Sequence, residues 1–276
     1  MTNSAYPTLQ EIRDTHAWKR DYERYLPLSR FVFRPVGFLL TWFAIRIGLT
    51  SEIVSWLSGL IGVVAFLCMA SSREQLLPIG LVLLCFFNLL DCVDGSIARA
   101  MKTENPYGRF LDSIMYWVDM GFWALVGIMV YRNPGLLYCS DPLGYGPVFW
   151  LVVGGLVSYF FVLTGFVEGT FDQCIRDEWD SINEKNNTNV INNDTGDTEQ
   201  QTFTRKTPPF SVIRVICHNM RVRETHYFLL VLAYWGKAVD ILLTAFIFYY
   251  LSNTVLLLFI YCRRGRQLRK SNYHLQ

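Results

Sequence analysis

The sequence has little charge. Asp, Glu, Lys and Arg make up 17% of its 276 residues against 52% hydrophobic residues, which sets it apart from ordinary soluble domains. Paired cysteine spacing is missing. Cys68, Cys85, Cys92, Cys139, Cys174, Cys217 and Cys262 contain no C-x-x-C, so the common zinc and dithiol motifs are excluded. Most of these cysteines lie in apolar stretches, where cysteine packs as a small hydrophobe, and no disulfide framework is expected. There is no dense basic stripe interleaved with aromatics, and the net charge is only +2. Nucleic acid is therefore not an expected partner. The first 35 residues are polar and lack a short apolar run ending in small residues, so no secretory signal peptide is expected.

What is present is a series of apolar blocks long enough to cross a bilayer, separated by short polar breaks. Spanning helices are expected near 51–70, 76–98, 107–131, 146–168, 214–236 and 238–262. The fifth is the weakest, because only His226 to Trp235 is strongly apolar and Arg214, Arg221 and Arg223 crowd its start. Val36 to Leu49 is too short to span and suits an amphipathic helix lying in the membrane interface. Ser181 to Thr207 is rich in Asn, Thr, Asp and Gln with almost no aliphatics, a composition that reads as a disordered loop. The expected fold is all-α and polytopic: six transmembrane helices plus the amino-terminal interfacial helix. Its organisation is an amino-terminal segment over 1–49, one membrane domain over 50–262 carrying the loop, and a basic tail over 263–276.

Positive residues orient this arrangement. With the amino terminus in the cytoplasm, six spans put both termini there. All but three of the 25 Lys and Arg residues then face the cytoplasm, the exceptions being Arg73, Arg132 and Lys237. The positive-inside rule favours that topology. It places the segment from 99 to 107 on the side where soluble nucleotides are found.

Ionisable residues within spans are costly and are functional candidates by default. Here they concentrate in one place. Asp91 and Asp94 end the second span, Asp112 begins the third, and Arg99 lies between. Three residues apart on a helix, Asp91 and Asp94 share a face. Asp112 converges on them if the connection folds the two helices antiparallel. Three carboxylates gathered together repel one another unless a cation sits among them, and a hard ion such as Mg2+ favours carboxylate and phosphate oxygens. Gly95 clears space for a ligand near the backbone, as does Gly108 one turn before Asp112. Arg99 offers a planar fork for phosphate oxygens. Together these residues point to transfer of a phosphoryl-type group at a membrane edge, chemistry dominated by positioning and charge neutralisation.

Asp91-Cys-Val-Asp94-Gly95-Ser-Ile-Ala98-Arg99, followed by Gly108 and Asp112, resembles the signature of the CDP-alcohol phosphotransferases, D-x2-D-G-x2-A-R-x8-G-x3-D-x3-D. Seven of its eight fixed positions match at the right spacing. Leu49-Thr-Ser-Glu-Ile-Val54-Ser55 also looks like the segment that opens the family's first span. The resemblance implies that Asp91, Asp94 and Asp112 hold one or two Mg2+ or Mn2+ ions on the pyrophosphate of a CDP donor. It implies that Asp94, Gly95, Ala98, Arg99 and Gly108 shape the nucleotide pocket. An acceptor hydroxyl then attacks the phosphorus distal to the cytidine and CMP leaves. Partners so implied are a CDP-activated lipid or alcohol, membrane lipid, and a second copy of the chain in a homodimer. Phospholipid synthesis from CDP-diacylglycerol is the leading expectation.

The eighth position departs from the pattern. Where the family has an aspartate thought to bind a second metal and take the acceptor's proton, this chain has Tyr116. A phenol, with a pKa near 10, is a poor base at neutral pH. Three readings follow. Asp119, one turn on, takes over; or Tyr116 is acidified by a metal or no strong base is needed; or the chain binds nucleotide or lipid without turnover. The isolated histidines read as structural, Arg221 and Arg223 as headgroup anchors or contacts to a phosphorylated acceptor, and Gly165-x-x-x-Gly169 as a weak packing pattern.

Overall fold

A computed structural model describes residues 6–17, 23, 25–176, 178, 215–216 and 219–273, with side chains to 269. The expected loop at 181–207 lies outside the described residues, and among the latter there is no strand. The helices are α1 Leu9–Asp14, α2 Arg34–Arg46, α3 Ser51–Met69, α4 Leu77–Met101, α5 Pro106–Met115, α6 Trp117–Arg132, α7 Pro147–Phe171, α8 Arg223–Trp235 and α9 Val239–Tyr273. The all-α, polytopic architecture is as the apolar blocks require.

Local chemistry sets the ends of the helices around the site. Thr50 accepts from the Ile53 N–H at 3.3 Å and caps α3. Helix α4 stops at Lys102, which adopts the left-handed φ of 56°. Asn105 then accepts from the Gly108 N–H at 2.7 Å, and Pro106 supplies a fixed φ to the first turn of α5. Stop and restart fall within a few residues, so motif positions on either side of the turn are brought close.

Five helical segments are long and apolar enough to cross a membrane: Ser51–Met69, Glu74–Met101, Pro106–Arg132, Pro147–Arg176 and Val239–Arg269. Their outer surfaces are apolar. On α3, Trp56, Leu60, Val63, Val64 and Leu67 are all exposed, a stripe at helical spacing that suits lipid. This is an integral membrane protein. The expected fifth span, 214–236, is represented among the described residues chiefly by α8, which has 13 residues. At 1.5 Å per residue it is about 20 Å long, short of the ~30 Å hydrocarbon core. The polar run Arg221 to His226 explains the shortfall. Helix α2, also 13 residues, has the length expected of an interfacial helix.

The described residues belong to two compact units. One lies within Met1–Gly155 and Thr207–Leu243, the other within Leu156–Lys206 and Thr244–Gln276. The first has a core where Ile12, Ala44, Ile45, Val54, Leu90, Val93 and Ile97 meet, tying α1 and α2 to α3 and α4. In the second, Thr164 Oγ1 lies 2.8 Å from Thr254 Oγ1, and Phe171 stacks on Tyr261.

Close helix packing occurs at a pair the sequence reading did not single out. A Cβ added at Gly154 falls 2.7 Å from both Gly127 Cα and Trp123 O, which are backbone atoms unable to yield. Cβ atoms added at Gly165 or Gly169 meet nothing within 4 Å among the described residues. Gly154→Val is expected to destabilise the protein by about 3 kcal/mol through overpacking, whereas Gly165→Ala is expected to be neutral or stabilising. Thermal denaturation in detergent measures both.

Candidate active site

The turn between α4 and α5 borders a cavity of about 1010 Å3 within the first unit. Asp91, Asp94, Gly95, Ala98, Arg99, Gly108 and Asp112 all line it. Seven positions singled out by spacing along the chain thus share one space. Tyr116 and Asp119 do not line it. Tyr116 sits at the junction of α5 and α6 and is 40% exposed, while Asp119 is buried at 7% exposure.

Each carboxylate has its own setting. Asp94 is 4% exposed; its Oδ2 accepts from Ser55 Oγ at 2.5 Å and its Oδ1 from the Gly95 N–H. Ser55 reaches it from α3, and the Thr50 cap fixes where that helix begins. Asp91 is half-buried, and its Oδ2 lies 2.9 Å from Arg223 Nη2 of α8. Asp112 is exposed and makes no hydrogen bond or ion pair with the described residues. Asp119 accepts from the Tyr227 hydroxyl at 3.2 Å and lies 3.6 Å from Arg223 Nε. The hydrogen bond from Ser55 to a buried carboxylate carries a testable consequence. Ser55→Ala is expected to destabilise the protein by about 2 kcal/mol, the loss of a bond to a charged acceptor, with Ser55→Thr recovering part of it.

Arg99 is held from the amino-terminal segment. Its Nη2 lies 3.0 Å from His16 Nε2, which is 3.0 Å from Ser96 Oγ. A guanidinium only donates, so His16 Nε2 accepts here and the ring proton sits on Nδ1. A Cβ at Gly95 would lie 3.1 Å from Arg99 Nη1; the glycine lets this guanidinium lie against the helix. Three further cations, Arg34, Arg109 and Arg223, also line the cavity. Asn88, one turn before Asp91 and 1% exposed, lines it too, with no hydrogen-bond partner for its Nδ2. Such an orphaned donor suits an acceptor oxygen brought by a ligand.

Residues 49–169 match the family model for CDP-alcohol phosphatidyltransferase. This segment is a CDP-alcohol phosphatidyltransferase domain. Its match begins at Leu49, beside the Thr50 cap, and takes in every motif position from Asp91 to Asp112. No individual curated protein matches the chain. The domain match and the spans together support a phosphatidyl transferase of lipid synthesis.

Whether a divalent ion fits is tested by the acidic residues of the cavity themselves. Asp91 Oδ1 and both oxygens of Asp112 carry no hydrogen bond from the described residues, and they line one cavity with Asp94. Hard oxygen donors with uncommitted lone pairs fit Mg2+ or Mn2+ by chemistry. No three His, Cys, Asp or Glu side chains among the described residues stand in a ligand arrangement. Two features were beyond the reach of sequence reasoning: the seating of Arg223 against Asp91, and the hold of His16 on Arg99. His16 had no ligand spacing to mark it.

Proposed function

We propose that this protein transfers a phosphatidyl group from CDP-diacylglycerol to the hydroxyl of a small alcohol, releasing CMP, at the cavity between α4 and α5. The observation that carries this reading is the sharing of one cavity by the motif residues Asp91, Asp94, Gly95, Ala98, Arg99, Gly108 and Asp112. Arg99, steadied by His16, and Arg34 and Arg109 supply guanidinium donors for diphosphate oxygens. Gly95, Ala98 and Gly108 keep the cavity wall low where the nucleotide enters. Asp91, Asp94 and Asp112 would hold Mg2+ or Mn2+, which when bound offsets the charge of the diphosphate and of the leaving CMP.

The acceptor oxygen bonds to the phosphorus distal to the cytidine, and the bond from that phosphorus to the bridging oxygen breaks. The electron pair leaves with CMP, and the hydroxyl proton goes to Asp112. That carboxylate lines the cavity and is not engaged by the described residues. Asp119 is committed to Arg223 and Tyr227, which argues for Asp112 rather than Asp119 as the proton acceptor. By the distribution of Lys and Arg, the cavity opens to the cytoplasm.

The test is CMP release by the purified protein with Mn2+ and CDP-diacylglycerol across a panel of alcohols, with diacylglycerol and CDP-choline as the reversed pairing. Release with one alcohol and CDP-diacylglycerol is expected. Release only with CDP-choline and diacylglycerol would reverse the donor assignment. A second reading, nucleotide binding without turnover, is favoured by Tyr116, which stands in place of an acid and off the cavity. It predicts thermal stabilisation by CDP with no CMP formed from any donor.

A further inference from the structure

The geometry points to Arg223 as a resident cation of the site, one that limits it to a single divalent ion. This rests on the proposed reading of Asp91, Asp94 and Asp112 as ion ligands. Arg223 arrives from α8, remote in sequence from the motif, and sets one guanidinium nitrogen 2.9 Å from Asp91 Oδ2. Its Nε lies 3.6 Å from Asp119 Oδ2, and its Cζ is 5.7 Å from the centroid of the Phe87 ring. The side chain is thereby held between two acids and against an aromatic face.

Two consequences follow for ions. The first concerns ligands. Asp94 has both oxygens engaged, by Ser55 and by the Gly95 N–H. Asp119 likewise has both engaged, by Tyr227 and Arg223. Asp91 keeps one oxygen and Asp112 two. Those three, with the lone pairs that Asp94 keeps beside its two hydrogen bonds, are enough for one hard ion of the Mg2+ class, which completes its shell with water and phosphate. The second concerns charge. A second dication beside Asp91 and Asp119 has to approach a guanidinium already seated there, and like charges at such range repel strongly inside a protein. The chain also has a phenol at 116, the position of the motif's last acid, and that phenol is off the cavity. The motif's last acid is missing, and a fixed cation lines the cavity. Each change lowers the number of ions the site accepts.

The experiment counts ions rather than turnover. Full-length protein in detergent is stripped with chelator and equilibrated with Mn2+ and CDP, and bound Mn2+ per chain is counted by electron paramagnetic resonance. Wild type is expected to hold one ion and Arg223→Gln two, because Asp91 Oδ2 and Asp119 Oδ2 lose the guanidinium that occupies them. Two ions in wild type would overturn the inference, as would one in a folded Arg223→Gln. If Arg223→Gln does not fold, the wild-type count still decides. Asp112→Asn separates the two levels. A two-ion wild type that loses ions in Asp112→Asn removes only the role given to Arg223. A wild type that binds none, or an Asp112→Asn protein that binds as much as wild type, removes the underlying ligand assignment and this inference with it.

Discussion

Asp112→Asn is expected to lower CMP release by about 100- to 1000-fold, the scale seen when one charge-stabilising group is removed from an active site, while leaving the fold as stable as before. The two halves of this expectation come from one observation. Asp112 is exposed and has no hydrogen bond or ion pair with the described residues. Its replacement by a near-isosteric amide therefore removes no interaction that supports the fold, and substitutions of that kind fall within about 0.5 kcal/mol of neutral. Yet it lines the cavity with the rest of the motif, and an amide neither carries the negative charge nor accepts a proton. Parallel measurements of CMP formation and thermal midpoint check it. A loss of activity accompanied by an equal loss of folded protein would show Asp112 to be structural.

Arg223→Met is expected to do the opposite and destabilise the protein strongly, by about 3 kcal/mol. Removing one partner of a desolvated ion pair leaves the other charge buried without compensation, at a cost of about 3–5 kcal/mol. Here the low end applies, because the Arg223 side chain is 24% exposed, although Asp119 is only 7% exposed. The loss should shrink when Asp119 is also made Asn, since the neutral amide no longer needs the cation. That coupling, read from a double-mutant cycle in detergent, distinguishes an ion pair from simple loss of side-chain packing. Additive effects of the two substitutions would contradict the pairing.

The parts of this protein that were legible in its sequence are those governed by local rules. The apolar blocks announced the long helices, and the helical period placed Asp91 and Asp94 on one face. Thr50, Asn105 and Pro106 also act locally, at the starts of α3 and α5, although the apolar blocks alone did not mark them. The cavity-lining set from Asp91 to Asp112 was legible through its resemblance to the family's signature, and the turn between α4 and α5 brings both halves of it to one cavity. What escaped is what long-range packing decides. Arg223 reads on its own as a membrane-edge anchor; only the placement of α8 brings it to Asp91 and Asp119. The same placement occupies Asp119, which by spacing alone looked able to replace the acid missing at 116. The close approach of Gly127 to Gly154 joins residues on two different helices, whereas the GxxxG spacing at 165 and 169 is a property of one. Helix α8 was read too long because hydropathy does not register that its polar first turn is drawn into a site.

The protein's assignment as a transferase rests on where a nucleotide diphosphate settles. The most direct measurement is a structure determined by electron microscopy with a CDP-alcohol and Mn2+ bound. The diphosphate is predicted to lie in the cavity beside Arg99 and Gly108, with Asp91, Asp94 and Asp112 around the manganese. A diphosphate bound elsewhere on the chain, with those three carboxylates still as they stand now, would contradict it.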